Sequence, residues 1–137
     1  MAGAYDDRDG VIWMDGKLVD WRNAKVHVLT HGLHYGSSVF EGERAYNGKI
    51  FKSREHSKRL LKSGEYMDIP IPYTVDEIEA AKAEVLAASG LQNAYVRALC
   101  WRASGEDMGV ASARNPVKMA IAVWEWGAYY GDAKMKG

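Results

Sequence analysis

Phe40 to Leu60, "FEGERAYNGKIFKSREHSKRL", changes its periodicity partway along. The first part alternates around Asn47-Gly48, a pair that tolerates the positive φ values of a tight two-residue turn. It therefore predicts a hairpin with strands near 39–46 and 49–52. The second part shifts to helical spacing. Ser53 is placed to cap a helix that runs through "REHSKRLLKSGEYM", with Leu60, Gly64 and Met67 on one face, and Pro70 and Pro72 stop it.

Upstream, "VIWMDGKLVDW" repeats the hairpin device around Asp15-Gly16. Downstream, Thr74 and Glu77 have capping-box spacing. Ile78, Ala81, Val85 and Ala88 form an apolar stripe that ends at Gly90, a natural C-terminal residue for a helix. "NAYVRALCWR" and "VKMAIAVWEW" then read as strands separated by the glycine-punctuated loop "ASGEDMGVASARNP". The order hairpin, hairpin, two helices, two strands is an α+β pattern with a mainly antiparallel sheet and two principal helices.

Composition narrows the function. At 137 residues and 47% hydrophobic content, the chain is the size of one domain with a real core. Eighteen basic and eighteen acidic side chains cancel to a formal net charge of zero, so no overall positive field draws in nucleic acid or anionic membrane. No run reaches membrane-spanning length and the acidic N-terminus has no apolar signal core, so a cytoplasmic protein is expected. The single cysteine, Cys100, has apolar neighbours and reads as a buried thiol.

Strand periodicity places Phe40, Gly42 and Arg44 on one face, and likewise Tyr95 and Arg97. Each strand thus offers an aromatic ring and an arginine together, with Gly42 leaving room for a close approach by ligand or backbone. Arginines that simply face water are the competing reading. His27, His31 and His34 would line one helical stripe and invite a zinc site. However, "KVHVLTHG" is β-branched and alternating, which places His27 in a strand and His34 beyond a glycine, so no metal is assigned. The glycines in "HGLHYG" and "FEG" match neither glycine-rich phosphate-loop pattern. Arg59 on its helix has a solvated surface arginine as its plain alternative, and Trp124, Trp126 and Tyr129 suit either core or pocket.

The ordered set "AKVHVLTHGLHYGSSVFEGERAY", "REHSKRL", "AYVRAL", "MGV" and "WGAYYG" resembles the N-terminal part of branched-chain amino-acid aminotransferases, fold type IV enzymes that use pyridoxal phosphate. The resemblance spans nearly the whole chain. It implies that Arg59 of the "H-x-x-R-L" motif, which also holds His56, grips the cofactor phosphate; a planar, permanently charged fork suits that task. It further implies that Tyr95 contacts the substrate α-carboxylate and Arg97 the side-chain carboxylate of glutamate. Phe40, Trp126 and Tyr129 would form the apolar pocket, while Gly42 and Arg44 shape its floor. Tyr35 and Val110 match residues that serve the neighbouring subunit's pocket, so a homodimer is implied. Glu43 departs from the aliphatic residue of many relatives, on the strand face away from Phe40 and Arg44.

The family's Schiff-base lysine lies in a C-terminal domain, and none of the ten lysines here matches it. Lys17 and Lys49 follow turns, Lys58, Lys62 and Lys82 are expected on helix surfaces, and Lys134 and Lys136 fall in a polar tail. Residues 1–137 are accordingly expected to be the small domain of a two-domain enzyme that exchanges the amino group of leucine, isoleucine or valine with 2-oxoglutarate, and to be inactive alone. The alternatives are a D-amino-acid aminotransferase or aminodeoxychorismate lyase of the same fold, or a non-catalytic binding or assembly module.

Overall fold

The computed structural model describes residues 3–126. Its strands are β1 (Val11–Met14), β2 (Lys17–Asp20), β3 (Ser38–Tyr46), β4 (Lys49–Ile50), β5 (Ala94–Arg102) and β6 (Val117–Trp124). The helices are the short α1 (His31–Tyr35), α2 (Ser53–Tyr66) and α3 (Val75–Ser89), with a 3-10 turn at Trp21–Asn23. The strands form one six-stranded sheet in the order β2-β1-β6-β5-β3-β4, and every pairing is antiparallel. The α+β reading thus holds. No helix of the described residues is long and apolar enough to cross a membrane.

Both hairpin turns form as their residues dictate. Asp15 and Gly16 take φ values of 49° and 108°, and Asn47 and Gly48 take 52° and 81°. The second hairpin closes on a strand of two residues, shorter than the sequence suggests, because Phe51 and Lys52 leave the sheet to enter α2. Beyond Ala45 and Tyr46, the outer edge of β3 is therefore unpaired by β4.

Helices α2 and α3 cover one face of the sheet. Leu60 from α2 and Ile78, Ala81, Val85 and Leu86 from α3 pack on Val96, Ala98, Cys100, Met119, Ile121 and Val123. Cys100 is fully buried, and burial pushes its thiol up to about 12. Gly64 is required by a close approach, since a Cβ there would meet the carbonyl of Ile69 at 2.7 Å and Ile71 Cδ1 at 2.8 Å. The chain can thereby fold back on α2 after the helix ends.

Several details correct the sequence reading. Ser53 is not the cap of α2; Lys52, in the left-handed region at φ 52°, precedes the helix, and the Ser53 hydroxyl donates instead to Glu79 at 2.8 Å. Met67 and Ala88 are exposed, and in α3 the inner positions include Lys82 and Leu86. Lys82 is not on a helix surface. It is 1% exposed, with its ammonium 2.7 Å from Glu43 Oε1 and 2.7 Å from Ser57 Oγ. His27 lies in a turn and not in a strand: its Nδ1 accepts from Leu29 N, and its carbonyl accepts from Thr30 N. The capping box of α3 forms as read, Thr74 Oγ1 accepting from Glu77 N at 3.1 Å and Glu77 Oε1 from Thr74 N at 2.8 Å.

Candidate active site

The face of the sheet away from α2 and α3 carries the residues grouped by strand periodicity. Register pairs Gly42 with Arg97 and Arg44 with Tyr95, and on the other side of β5 pairs Tyr95 with Trp124 and Arg97 with Ala122. Partners in an antiparallel pair share a face, so these side chains project together. The Arg97 guanidinium lies 4.5 Å from the Phe40 ring centre, 5.4 Å from that of Tyr95 and 5.7 Å from that of Trp124. Its Nη2 donates to the Tyr95 hydroxyl at 3.1 Å. Trp126 stands edge-on to Tyr95 at 4.7 Å. Phe40, Tyr95, Arg97 and Trp126 are thus one cluster. Tyr129 lies outside the described residues.

Gly42 serves this cluster differently from the sequence expectation. The space above it is occupied by the chain's own Tyr95, whose hydroxyl a Cβ at residue 42 would overlap. Glycine here leaves room for the hydroxyl end of the Tyr95 ring.

The cluster has donors to spare. Arg97 Nε, Arg44 Nη1 and Trp124 Nε1 are buried with no hydrogen-bond partner among the described residues. Buried donors of this kind cost desolvation unless an acceptor reaches them, and a carboxylate is a strong acceptor. Arg97, Trp124 and Trp126 also line a cavity of about 360 Å³ with Tyr5, Ile12, Trp21 and Ala122. A second cavity of about 310 Å³, bounded by Met14, Leu33, Leu99 and Trp101 among others, has no charged side chain among its described lining residues. Chemistry favours the Arg97 cavity as the candidate site over this wholly uncharged one.

Arg59 approaches from the other side. It projects from α2 towards Glu41, which faces the helices, and donates from Nε and Nη2 at 2.8 Å each. His56 Nδ1 lies 2.7 Å from the same carboxylate. Burial alone would raise the Glu41 carboxyl, but the bonds from Arg59 and His56 override it and hold the group below the usual carboxylate range. Arg59, held by Glu41 on the helix side, and the Arg97 cluster therefore lie on opposite sides of β3.

Tyr35 and Val110 stand elsewhere. Tyr35 ends α1 and its hydroxyl donates to the Met108 carbonyl at 2.8 Å, while the buried His31 bridges Ser37 Oγ at 2.7 Å and the Gly109 carbonyl at 2.8 Å. Tyr35 and the loop holding Val110 are thus tied together beyond the Ser38–Trp101 rung. That rung is four residues along β3 from Gly42, about 13 Å at strand rise.

Glu41 escaped the sequence reading, as did the Lys82–Glu43 pair. A charged residue at an inward strand position is the only sequence signal for the two glutamates, and it does not say which cation answers each one. Trp124, whose sequence context suits core or pocket equally, stands with the Arg97 cluster.

The sheet thus sets an aromatic-lined arginine with no acidic partner among the described residues on one face, and a second arginine, paired with Glu41, on the other. The amino-transferase class IV family model matches residues 38–136. The branched-chain-amino-acid aminotransferase of Pseudomonas aeruginosa is 46% identical over 134 residues, which cover 95% of this chain and 43% of that protein. Among solved structures, the branched-chain aminotransferase of Escherichia coli superposes with a TM-score of 0.85 at 38% identity, covering 91% of this chain and 42% of the other. That of Thermoproteus uzoniensis, solved with norvaline, gives 0.82 at 35% identity, over 89% and 42%. A further branched-chain aminotransferase structure, complexed with N-(5'-phosphopyridoxyl)-L-glutamate, gives 0.82 at 42% identity, again over 89% and 42%. The chain belongs to the class IV aminotransferases, and it spans under half the length of these relatives.

Proposed function

We propose that residues 1–137 are the N-terminal small domain of a pyridoxal-phosphate-dependent branched-chain amino-acid aminotransferase, acting in the cytoplasm as a homodimer. The cluster of Phe40, Tyr95, Arg97 and Trp126 carries this reading: it combines apolar walls for an aliphatic side chain with donors for a carboxylate. Such a pocket must accept leucine, isoleucine or valine in one half-reaction and glutamate in the other, together with their 2-oxo acids. Apolar walls serve the first group and Arg97 serves the second.

The donor set fits the cofactor. Arg59 presents a delocalised cation from a helix, and a fork of that kind suits phosphate oxygens. Pyridoxal phosphate, when bound, supplies the electron sink that amino-group transfer requires, and the protein supplies orientation and charge. Of this chain's residues, Arg59 would hold the phosphate, Tyr95 and Arg97 would orient the substrate carboxylates, and Gly42 and Arg44 would fix the pocket floor. The lysine that carries the cofactor belongs to a second domain: Lys82 is committed to Glu43 inside the core. Lys118 shares the open face but sits four residues along β6 from the partner of Arg97, about 13 Å away. Tyr35 and the loop of Val110 form a cluster of their own beyond the Ser38–Trp101 rung, which supports their service to a neighbouring subunit.

Joined to the remaining length of the Pseudomonas aeruginosa relative, this chain is expected to support amino transfer from leucine to 2-oxoglutarate. Turnover of D-alanine but not of leucine would move the assignment to a D-amino-acid aminotransferase, and release of pyruvate from aminodeoxychorismate would move it to the lyase.

A further inference from the structure

A guanidinium has two useful edges: a side edge made of Nε and one terminal nitrogen, and an end edge made of both terminal nitrogens. In Arg59 the side edge is fully engaged, Nε donating to Glu41 Oε2 at 2.8 Å and Nη2 to Glu41 Oε1 at 2.8 Å. The end edge has no hydrogen-bond partner among the described residues beyond that shared Nη2 bond, and the side chain is 67% exposed. Glu41 itself is 4% exposed and fixed on the central part of β3. Its Oε1 also meets His56 Nδ1 at 2.7 Å, so the carboxylate is held from two points on α2 one helical turn apart.

Resting on the reading of Arg59 as the phosphate residue, we propose that Glu41 is its positioning residue, locking the side edge of the fork so that the end edge is presented to the phosphate. An exposed arginine samples many rotamers, and a ligand that meets it must first immobilise it. Here a buried strand carboxylate has already done so. The opposing effect is repulsion between Glu41 and the phosphate, which is weakened by the intervening cation and by solvent. Positioning therefore outweighs it, and removal of the carboxylate charge should loosen phosphate binding rather than tighten it.

The test uses the isotopically labelled chain and pyridoxine 5'-phosphate, which has no aldehyde to react with lysine, with inorganic phosphate as a second probe. Affinity is read from NMR shifts, and the Arg59 Nε–H signal reports its protection from solvent exchange. In the wild type, saturable shifts at Arg59 and a protected Nε–H are expected, and Arg59→Ala should abolish the saturable shifts. Absence of binding in the wild type, or binding that survives Arg59→Ala, overturns the reading of Arg59 and the role of Glu41 with it. Glu41→Gln should weaken affinity about tenfold and deprotect the Nε–H, the scale for losing charge-assisted bonds. Unchanged or tighter affinity in Glu41→Gln, while Arg59→Ala still abolishes binding, overturns the positioning role alone. Arg59→Lys keeps the charge without the two-edged fork, so it should bind about as weakly as Glu41→Gln, and adding Glu41→Gln to it should cost nothing more. Should Glu41→Gln fail to fold, wild-type affinity in Arg59→Lys contradicts the proposal by itself.

Discussion

Glu41 and Glu43 are two residues apart on one face of β3, yet their surroundings move them in opposite directions. Burial dominates at Glu43 and pushes its carboxyl up despite the Lys82 ammonium at 2.7 Å. At Glu41 the bonds from Arg59 and His56 prevail, and the carboxyl is held down. A depressed carboxyl stabilises the fold above its unfolded value of about 4.3, and that stabilisation is lost as pH falls through the lower folded value. The stability difference between wild type and Glu41→Gln should therefore be full at neutral pH and shrink on acidification below about pH 4, as measured by urea unfolding at a series of pH values. A difference that grows on acidification would contradict the assignment. In Gly42→Ala the new methyl group meets the Tyr95 hydroxyl, so the ring must shift and the Arg97–Tyr95 bond with it. Alternation made the shared face of Phe40, Gly42 and Arg44 legible in the sequence. The inward carboxylates were not, because a glutamate in an inward phase reads the same whichever cation meets it.

Among the elements, α3 was the most readable, since its start and stop are local chemistry. The capping box and the left-handed Gly90 at φ 72° both form as their residues specify. Thr74→Ala should lower stability by about 1 kcal/mol, measurable by chemical denaturation. Lys82 was misread for a physical reason: spacing alone cannot distinguish a surface lysine from one whose acceptors come from distant elements. Ser53 and Ser57 on α2, Glu79 on α3 and Glu43 on β3 all meet its ammonium. Lys82→Ala leaves Glu43 buried without its cation and should cost about 3–5 kcal/mol. Replacing the pair together, as Lys82→Met with Glu43→Leu, should recover most of that loss in thermal unfolding, because an apolar pair carries no desolvation penalty. Fully additive losses would show that the two residues do not act as a pair. The cap of α2 failed to follow its sequence signal because Ser53 Oγ is drawn into this same network.

Across the whole chain, the order of elements is enough to dictate an antiparallel α+β sheet, while the outer edge of β3 is left open by β4 because β4 stops after two residues. No local pattern announces that. The pocket face is unevenly exposed: Phe40 is 57% exposed, but Tyr95 is buried against Trp124, Trp126 and Arg97. Self-association of the chain, measured by sedimentation, is therefore expected to depend on Phe40 and the apolar residues Val28, Leu29 and Leu33 rather than on Tyr95. Incubation of the chain with pyridoxal phosphate followed by borohydride should label no single lysine stoichiometrically. Lys82, the buried lysine, is held by Glu43 and Ser57 inside the core.

A division of labour between Arg97 and the aromatic walls predicts that loss of Arg97 affects two substrates unequally. In the enzyme formed by joining this chain to the remaining length of the Pseudomonas aeruginosa relative, kcat/KM is measured for glutamate and for leucine, with and without Arg97→Ala. Loss of Arg97 leaves the glutamate side-chain carboxylate without its partner in an aromatic-walled site, whereas leucine keeps its apolar contacts. A fall on the order of a hundredfold for glutamate, with leucine reduced no more than about fivefold, is the predicted result. Equal losses on both substrates would contradict it.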